Sequence, residues 1–309
     1  MGRSAAVKTR LLLDTDIDIT GDIDDAMCLA YLLAQPACDL LGITTVTWDT
    51  DRRAMVASAL CRAAGRTVPI FPGARVPLVA PLPVFASEQT VDVEGEFLRG
   101  WDHEEVFPHG RAVEFMRQTI RTHPGEVVLL GVGPLTNIAL LFAVDPDIPA
   151  LLKGLALMAG RFTDRAADAP PREWNAQLDP HAAAIVYRAH VARHRSVGLD
   201  VTHALRLDAA AVRRELANTS PLLRAMAELW FRKAPGITFH DPLAAAAIFE
   251  PQLCAWSRGA VAVELEDEQR RGLTRWARHA SGPHEVATDV DEPGFFAHYF
   301  SVLRAGFGA

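Results

Sequence analysis

Basic runs, long apolar stretches and paired cysteines are all missing from this sequence, and each absence removes a class of function. No stretch reaches the roughly 18 apolar residues of a membrane span, and Met1 to Arg10 carries no apolar core of a secretory signal, so a cytoplasmic protein with no membrane partner is expected. No run of five basic residues occurs and the formal net charge is −7, which argues against a nucleic-acid polymer as partner, since such binding rests on neutralising phosphates. The four cysteines, Cys28, Cys38, Cys61 and Cys254, show no C-x-x-C or other metal-ligand spacing and sit mostly within apolar segments, so they read as buried thiols. Internal repeats and low-complexity segments are absent as well.

What is present is an ordinary globular composition, half apolar with 22% charged residues. A 309-residue chain can bury most of its apolar surface in one large domain, and a single domain over residues 1–309 is expected. Short apolar runs alternate with helical patterns: Leu11 to Leu13 then Ala26 to Leu33, Leu41 to Thr47 then Arg52 to Ala64, Val68 to Phe71, and Val127 to Val132 then Thr136 to Ala143. Leu155 to Ala159, a helix near His181 to Ala189 and the run Ser196 to Val201 continue the series. This order predicts an α/β fold whose largely parallel, twisted sheet is covered by helices on both faces. From about residue 207 the pattern is mainly helical, with candidate strands at Val261 to Leu265 and Leu273 to Ala277 and a last helix near Phe295 to Phe307, all packed on the same sheet. Two segments, Pro72 to Gly110 and Gly160 to Leu178, break the rhythm, and loops this long in a compact domain are usually functional.

The densest chemical signal follows the first apolar run. Asp14, Asp16, Asp18, Asp22, Asp24 and Asp25 put six carboxylates into twelve residues, between a strand and a helix. Like charges this close raise one another's pKa unless a cation offsets them, and an oxygen-only set selects Mg²⁺ or Ca²⁺ over zinc. The bland alternative is a set of solvated turn and helix-start acids, since Asp suits both places. An EF-hand would use Asp14, Asp16, Asp18, Thr20, Asp22 and Asp25, but its sixth position needs Gly and here is Ile19, and its twelfth needs Glu. A haloacid-dehalogenase-type phosphatase also opens with Asp-x-Asp after a strand, with Asp14 as nucleophile, Asp16 as acid and Mg²⁺ as cofactor. That reading stays open as an alternative, although no motif surrounds Lys8, Lys153 or Lys233.

A third pattern fits more of the chain. The acidic loop resembles the N-terminal motif of the inosine-uridine nucleoside hydrolase family: Asp-x-Asp, a Gly-containing loop, then Asp-Asp-Ala and an apolar helix. Further matches come in the family's order: Leu41-Gly42-Ile43-Thr44-Thr45-Val46, Gly133-Pro134-Leu135-Thr136-Asn137, Leu157-Met158-Ala159-Gly160, Glu173-Trp174-Asn175 with Asp179-Pro180, Gly198-Leu199-Asp200-Val201-Thr202-His203, and Phe239-His240-Asp241-Pro242. Each alone has an ordinary explanation as a turn, a cap or a core residue. Their order along residues 11 to 250 is the specific part.

The resemblance implies hydrolysis of the bond between ribose and base in a small riboside. Ca²⁺ would be held by Asp16, Asp25, the Val132 carbonyl and Asp241, with Asp16 as general base. Asp24, Asp49, Met158, Glu173 and Asn175 would contact the substrate, and His240 would protonate the leaving base. A homodimer or homotetramer is implied as well. Three departures from the family pattern stand out. The loop between Asp16 and Asp24 is long, so that Asp18 competes with Asp16 as metal ligand; Trp48-Asp49 replaces Gly-Asn; and Ala167 stands where an Asn sugar contact is usual, a contact then absent or supplied by Asp164 or Asp168. A non-catalytic riboside binder on the same fold is the other alternative. Base preference is expected to depend on Pro72 to Gly110 and on Ala225 to Ile237, where the match is weak.

Overall fold

The computed structural model describes residues 8–79 and 93–307. Leu11, Leu12 and Leu13 are buried on both faces of β1 (Thr9–Thr15), which is why this strand lacks polar alternation. Beside it run β2 (Cys38–Thr45) and β3 (Ile70–Pro72) on one side, and β4 (Val127–Gly131), β5 (Gly154–Met158) and β6 (His194–Val197) on the other, all parallel. A small antiparallel pair, β7 (Arg206–Asp208) and β8 (Gly236–Thr238), stands apart. β9 (Cys254–Val263), β10 (Thr274–Arg278) and β11 (His284–Val290) complete a nine-stranded sheet of order β10-β9-β11-β6-β5-β4-β1-β2-β3. The expected α/β architecture is therefore present: a mostly parallel sheet with helices on both faces.

Alternate side chains of the strands feed two cores. Leu12, Leu129, Leu155 and Leu157 pack with Met116, Ile120, Ile138, Leu141 and Val186, from helices Ala112–Thr122, Thr136–Val144 and Pro180–Arg188. On the opposite face Leu11, Leu13, Val128 and Leu130 meet helices Asp24–Ala34, Thr50–Ala63, His240–Phe249 and Glu292–Phe307. The Asp24–Ala34 helix is buried at every residue and packs against both the His240–Phe249 and Glu292–Phe307 helices, so it needs an apolar surface all round. No helix among the described residues is long and apolar enough to cross a membrane.

Two boundaries differ from the sequence expectation. The run Ser196 to Val201 is not one strand: β6 ends at Val197, and Leu199–Thr202 forms a short helical turn. Gly198 permits that turn, since a Cβ there would lie 2.6 Å from the Gly160 carbonyl oxygen. In the C-terminal part β9 begins at Cys254 rather than Val261, and β11 was not anticipated; both extend the sheet itself. β9 mixes exposed, half-exposed and buried positions and contains Gly259, so its alternation is too weak to read.

The strand order places a switch point between β1 and β4. Chains leaving their carboxyl ends diverge to opposite sides, opening the crevice where such sheets bind ligands.

Candidate functional site

At that crevice Asp14 is the penultimate residue of β1, and its Oδ1 accepts from Thr44 Oγ1 (2.5 Å) and Asn137 Nδ2 (2.8 Å). Asn137 also donates to the Thr45 carbonyl (3.0 Å) and accepts from the Ala74 N–H (2.8 Å), so the Gly133-to-Asn137 turn ties β1, β2 and the segment after β3 together. Burial pushes the Asp14 carboxyl up to about 7 against these hydrogen bonds. Asp14 does not line the cavity described below. A nucleophile must reach its substrate, so the phosphatase alternative, which gave Asp14 that role, fails on this geometry.

Asp16 lies against the same turn. A Cβ on Gly133 would sit 2.7 Å from the Asp16 nitrogen and 2.9 Å from its Oδ1, so only glycine lets the two segments approach. Asp16 is pushed up to about 7 by burial, opposed by the Arg53 guanidinium. Asp18 does something else: its Oδ1 accepts from the Thr20 N–H (2.9 Å) and the Gly21 N–H, closing a local turn, and its Oδ2 lies 3.6 Å from Arg53 Nη1.

Asp24 and Asp25 open the Asp24–Ala34 helix, and Asp241 sits in the first turn of the His240–Phe249 helix. These two helix starts converge, so that one oxygen from each of the three carboxylates lies within 4.8 Å of the others. The Asp241 N–H donates to Asp24 Oδ2 (3.1 Å), and the Thr15 hydroxyl donates to Asp25. Burial first, and then repulsion from neighbouring carboxylates, hold all three acids well above the usual carboxylate range. Buried acids facing each other are costly unless a cation joins them, and the all-oxygen donor set fits a hard divalent ion. The positive ends of two helices offset part of the repulsion among these acids.

A cavity of about 620 Å³ opens above this cluster. It is lined by nearly all the residues expected from sequence: Asp16, Asp24, Asp25, Val132, Met158, Glu173, Asn175, His240 and Asp241. Asn175 Nδ2 donates to the carbonyls of Val132 (2.8 Å) and Met158 (3.0 Å), joining the ends of β4 and β5. Glu173 caps the Trp174–Leu178 helix, accepting from the N–H groups of Gly160 (2.9 Å), Asn175 (2.6 Å) and Ala176 (2.9 Å). Its Oε1 retains one lone pair for a ligand. His240 Nδ1 lies 2.7 Å from the Thr202 hydroxyl, which itself donates to the Gly198 carbonyl, so Nδ1–H is the donor and the neutral ring leaves Nε2 bare. Burial, with His203 and Arg206 adding to it, lowers the His240 pKa to about 3.

Some expectations are corrected. Asp49 is exposed, lies outside the cavity and caps the Thr50–Ala63 helix by accepting from the Arg52 N–H (3.2 Å). Its neighbour Trp48 enters the cavity wall in its place. Neither Asp164 nor Asp168 lines the cavity; Asp168 instead faces His203 at 3.3 Å. Of the segments expected to set base preference, residues 80–92 lie outside the described residues, and Ala225 to Ile237 contributes no lining residue, whereas His203, Arg206 and Thr238 do.

Two residues went unnoticed in the sequence. Arg53 is 4% exposed, donates from Nε to the Thr47 carbonyl (2.9 Å) and brings a cation among the acids. A cation near a helix start opposes the helix dipole, and that mismatch was its available signal. Glu94 reaches across to accept from the Ile19 N–H (2.9 Å), clamping the lengthened acidic loop; nothing local marks it.

Residues 11–297 match the family model described as inosine-uridine preferring nucleoside hydrolase. The chain belongs to this nucleoside hydrolase family. It is similar to a non-specific ribonucleoside hydrolase of Escherichia coli, 32% identical with 92% of this chain and 95% of that one covered. It is also similar to uridine nucleosidase 1 of Arabidopsis thaliana, 30% identical over 92% of this chain and 90% of the relative. Among solved structures, a purine-preferring ribonucleoside hydrolase from Gardnerella vaginalis shares the fold, with a TM-score of 0.81 at 23% identity, covering 96% of this chain and 99% of that one. As a nucleoside hydrolase the chain is an enzyme of the glycosidase class, and the Asp24-Asp25-Asp241 cluster stands where metal and water activation would be needed.

Proposed function

We infer that this nucleoside hydrolase cleaves the N-glycosidic bond of ribonucleosides, releasing free base and ribose. The observation that carries this reading is the convergence of Asp24, Asp25 and Asp241 at the switch point of a chain matched to the family from residue 11 to 297. We propose Ca²⁺ as the ion, held by Asp25 and Asp241 with Asp16 and the Val132 carbonyl. Bound there, the cation supplies an acidified water and a positive charge for the ribose hydroxyls.

The chain's own residues then have distinct tasks. Asp16, fixed against Gly133, takes the proton of the attacking water. Asp18 is committed to its turn and to Arg53, which favours Asp16 for this role. Asp24 accepts from a ribose hydroxyl, and Asn175 and the remaining Glu173 lone pair fix the sugar so that positive charge can develop on the ring. Met158 packs against the sugar. His240 protonates the departing base: the neutral ring takes a proton from solvent water at Nε2 as negative charge builds on the base beside it, and passes that proton to the base, returning to its neutral form.

A riboside panel assayed for sugar release, with Ca²⁺ and with chelator, tests the reading. Reducing sugar should accumulate only with the ion, and Asp25→Ala should lose metal and nearly all turnover while the fold survives. Retained turnover with bound Ca²⁺ in that variant, or tight nucleoside binding without sugar release in the wild type, would sink the assignment.

A further inference from the structure

Arg53 is a buried cation that the reaction as derived does not use. It stands in the first turn of the Thr50–Ala63 helix, where a positive charge opposes the helix dipole, and only 4% of it is exposed. Burying a guanidinium in such a place is costly unless its charge has a partner. The surroundings hold it firmly: Nε donates to the Thr47 carbonyl (2.9 Å), and Cζ lies 5.7 Å from the centre of the Trp48 ring. Thr47 and Trp48 themselves adopt left-handed backbone, with φ of 71° and 55°, a conformation strained for β-branched and bulky residues. That segment is fastened in turn, since the Thr47 N–H donates to the Ala74 carbonyl (2.7 Å) and the Trp48 N–H to the Arg75 carbonyl (2.7 Å).

This anchored cation faces Asp18. Its Nη1 is buried with no hydrogen-bond partner among the described residues, and Asp18 Oδ2 lies 3.6 Å from it, an ion pair too long for a hydrogen bond. The other Asp18 oxygen is occupied: Oδ1 accepts from the Thr20 N–H (2.9 Å) and the Gly21 N–H. Glu94 pins the same turn, accepting from the Ile19 N–H (2.9 Å) and the Thr20 hydroxyl (3.3 Å). Asp18 is thus fixed on the wall of the cavity that Asp16 and Asp25 also line, with Oδ2 turned to Arg53. Asp16 and Asp25 feel both groups, the Asp18 charge raising their pKa values and the Arg53 charge lowering them. A hard cation among these acids attracts any further carboxylate oxygen within reach, because Ca²⁺ takes about six to eight oxygens. Each position filled by the protein is one that water or a ribose hydroxyl no longer has.

We propose that Arg53 is a positioning residue, which holds Asp18 out of the ion's ligand shell and so keeps a position open for the attacking water; the inference rests on the calcium reading above. The test counts the waters on bound Tb³⁺, used in place of Ca²⁺, from its luminescence decay in H₂O and D₂O, and measures Ca²⁺ affinity by calorimetry, in the full chain. Arg53→Gln should bind Ca²⁺ about tenfold more tightly, because a repelling charge is gone, and its Tb³⁺ should carry fewer waters than in the wild type. Adding Asp18→Asn to Arg53→Gln should restore the wild-type count, and Arg53→Lys, which keeps the charge, should retain it. At saturating Ca²⁺, kcat on p-nitrophenyl riboside should still fall in Arg53→Gln. A merely structural role would weaken ion binding instead. Weaker binding in Arg53→Gln, an unchanged water count, or a loss of water that Asp18→Asn does not restore overturns the proposal and leaves the hydrolase reading intact. Should Arg53→Gln fail to fold, the isosteric Asp18→Asn alone decides: the wild-type count supports the proposal, and a higher count, showing Asp18 to be a ligand already, overturns it. Failure of the wild type to bind either ion overturns the calcium reading, and this inference with it.

Discussion

Neutralising Asp25 separates a metal site from a packed polar core. Burial and facing carboxylates hold Asp24, Asp25 and Asp241 well above the ordinary carboxylate range, and burial holds Asp14 and Asp16 at about 7. A carboxyl whose folded pKa exceeds its unfolded value of about 3.9 binds more protons folded than unfolded. Its stabilising contribution is therefore complete below the unfolded pKa and is lost as pH rises through the folded one. The metal-free protein should accordingly lose stability from about pH 4 to about pH 7 and beyond. Asp25→Asn keeps an oxygen to accept from the Thr15 hydroxyl but removes one ionisable member, so in EGTA at pH 7.5 it should melt higher than wild type. Calcium should reverse that order. At about 100 times its dissociation constant, an ion bound only by the folded chain adds about 2.7 kcal/mol. Unfolding entropy of about 2.1 cal/mol/K per residue gives about 0.65 kcal/mol/K for 309 residues, so the wild-type Tm should rise by about 4 °C. In Asp25→Asn the rise should fall below about 1 °C at the same concentration. Differential scanning fluorimetry at pH 5.5 and 7.5, with EGTA or Ca²⁺, reads all of these. A wild-type Tm indifferent to Ca²⁺, or a variant less stable than wild type in EGTA at pH 7.5, would refute the electrostatic account.

Other expectations follow from the same geometry. His240→Ala should impair inosine-like substrates far more than p-nitrophenyl riboside, whose leaving group departs without a proton; equal losses in kcat/KM on the two would remove His240 as the acid. His194 is buried on β6 with neither ring nitrogen hydrogen-bonded, its ring stacked on Tyr187 at 5.2 Å and meeting His284 at 4.7 Å. Burial lowers its pKa to about 3, so its share of stability is present above the unfolded value of about 6.5 and is lost as pH falls toward 3. His194→Phe keeps the stack and deletes an unpaired polar group worth about 1–2 kcal/mol, or about 2–3 °C in Tm at pH 7. Its advantage over wild type should widen from pH 7 to pH 5, and a narrowing gap in thermal melts would contradict the argument.

Legibility in the sequence followed how local each signal was. The six carboxylates after Leu11-Leu12-Leu13 announced a hard-cation loop because charge density and apolar runs are properties of neighbouring residues. Helices such as Asp24–Ala34 and Thr136–Val144 were readable for the same reason, whereas β11 and the true start of β9 lie in the antiparallel end of the sheet, where buried, half-buried and exposed positions mix with little pattern.

The sequence by itself determined that this is an α/β chain with an oxygen-ligand site after its first strand, and the order of its motifs pointed to the nucleoside hydrolase family. Only the tertiary structure decided which acids meet: Asp24 receives a hydrogen bond from Asp241, 217 residues away, because two helix starts converge at the switch point. It also turned Asp18 toward Arg53, turned Asp49 out to a helix cap and held Trp48 beside Trp174 in a backbone that glycine would favour. Loop side chains have no periodicity to aim them. Their directions are set by what the fold brings against them, here the close approach of Gly133 to Asp16 and the carbonyls of Ala74 and Arg75 beneath Thr47 and Trp48.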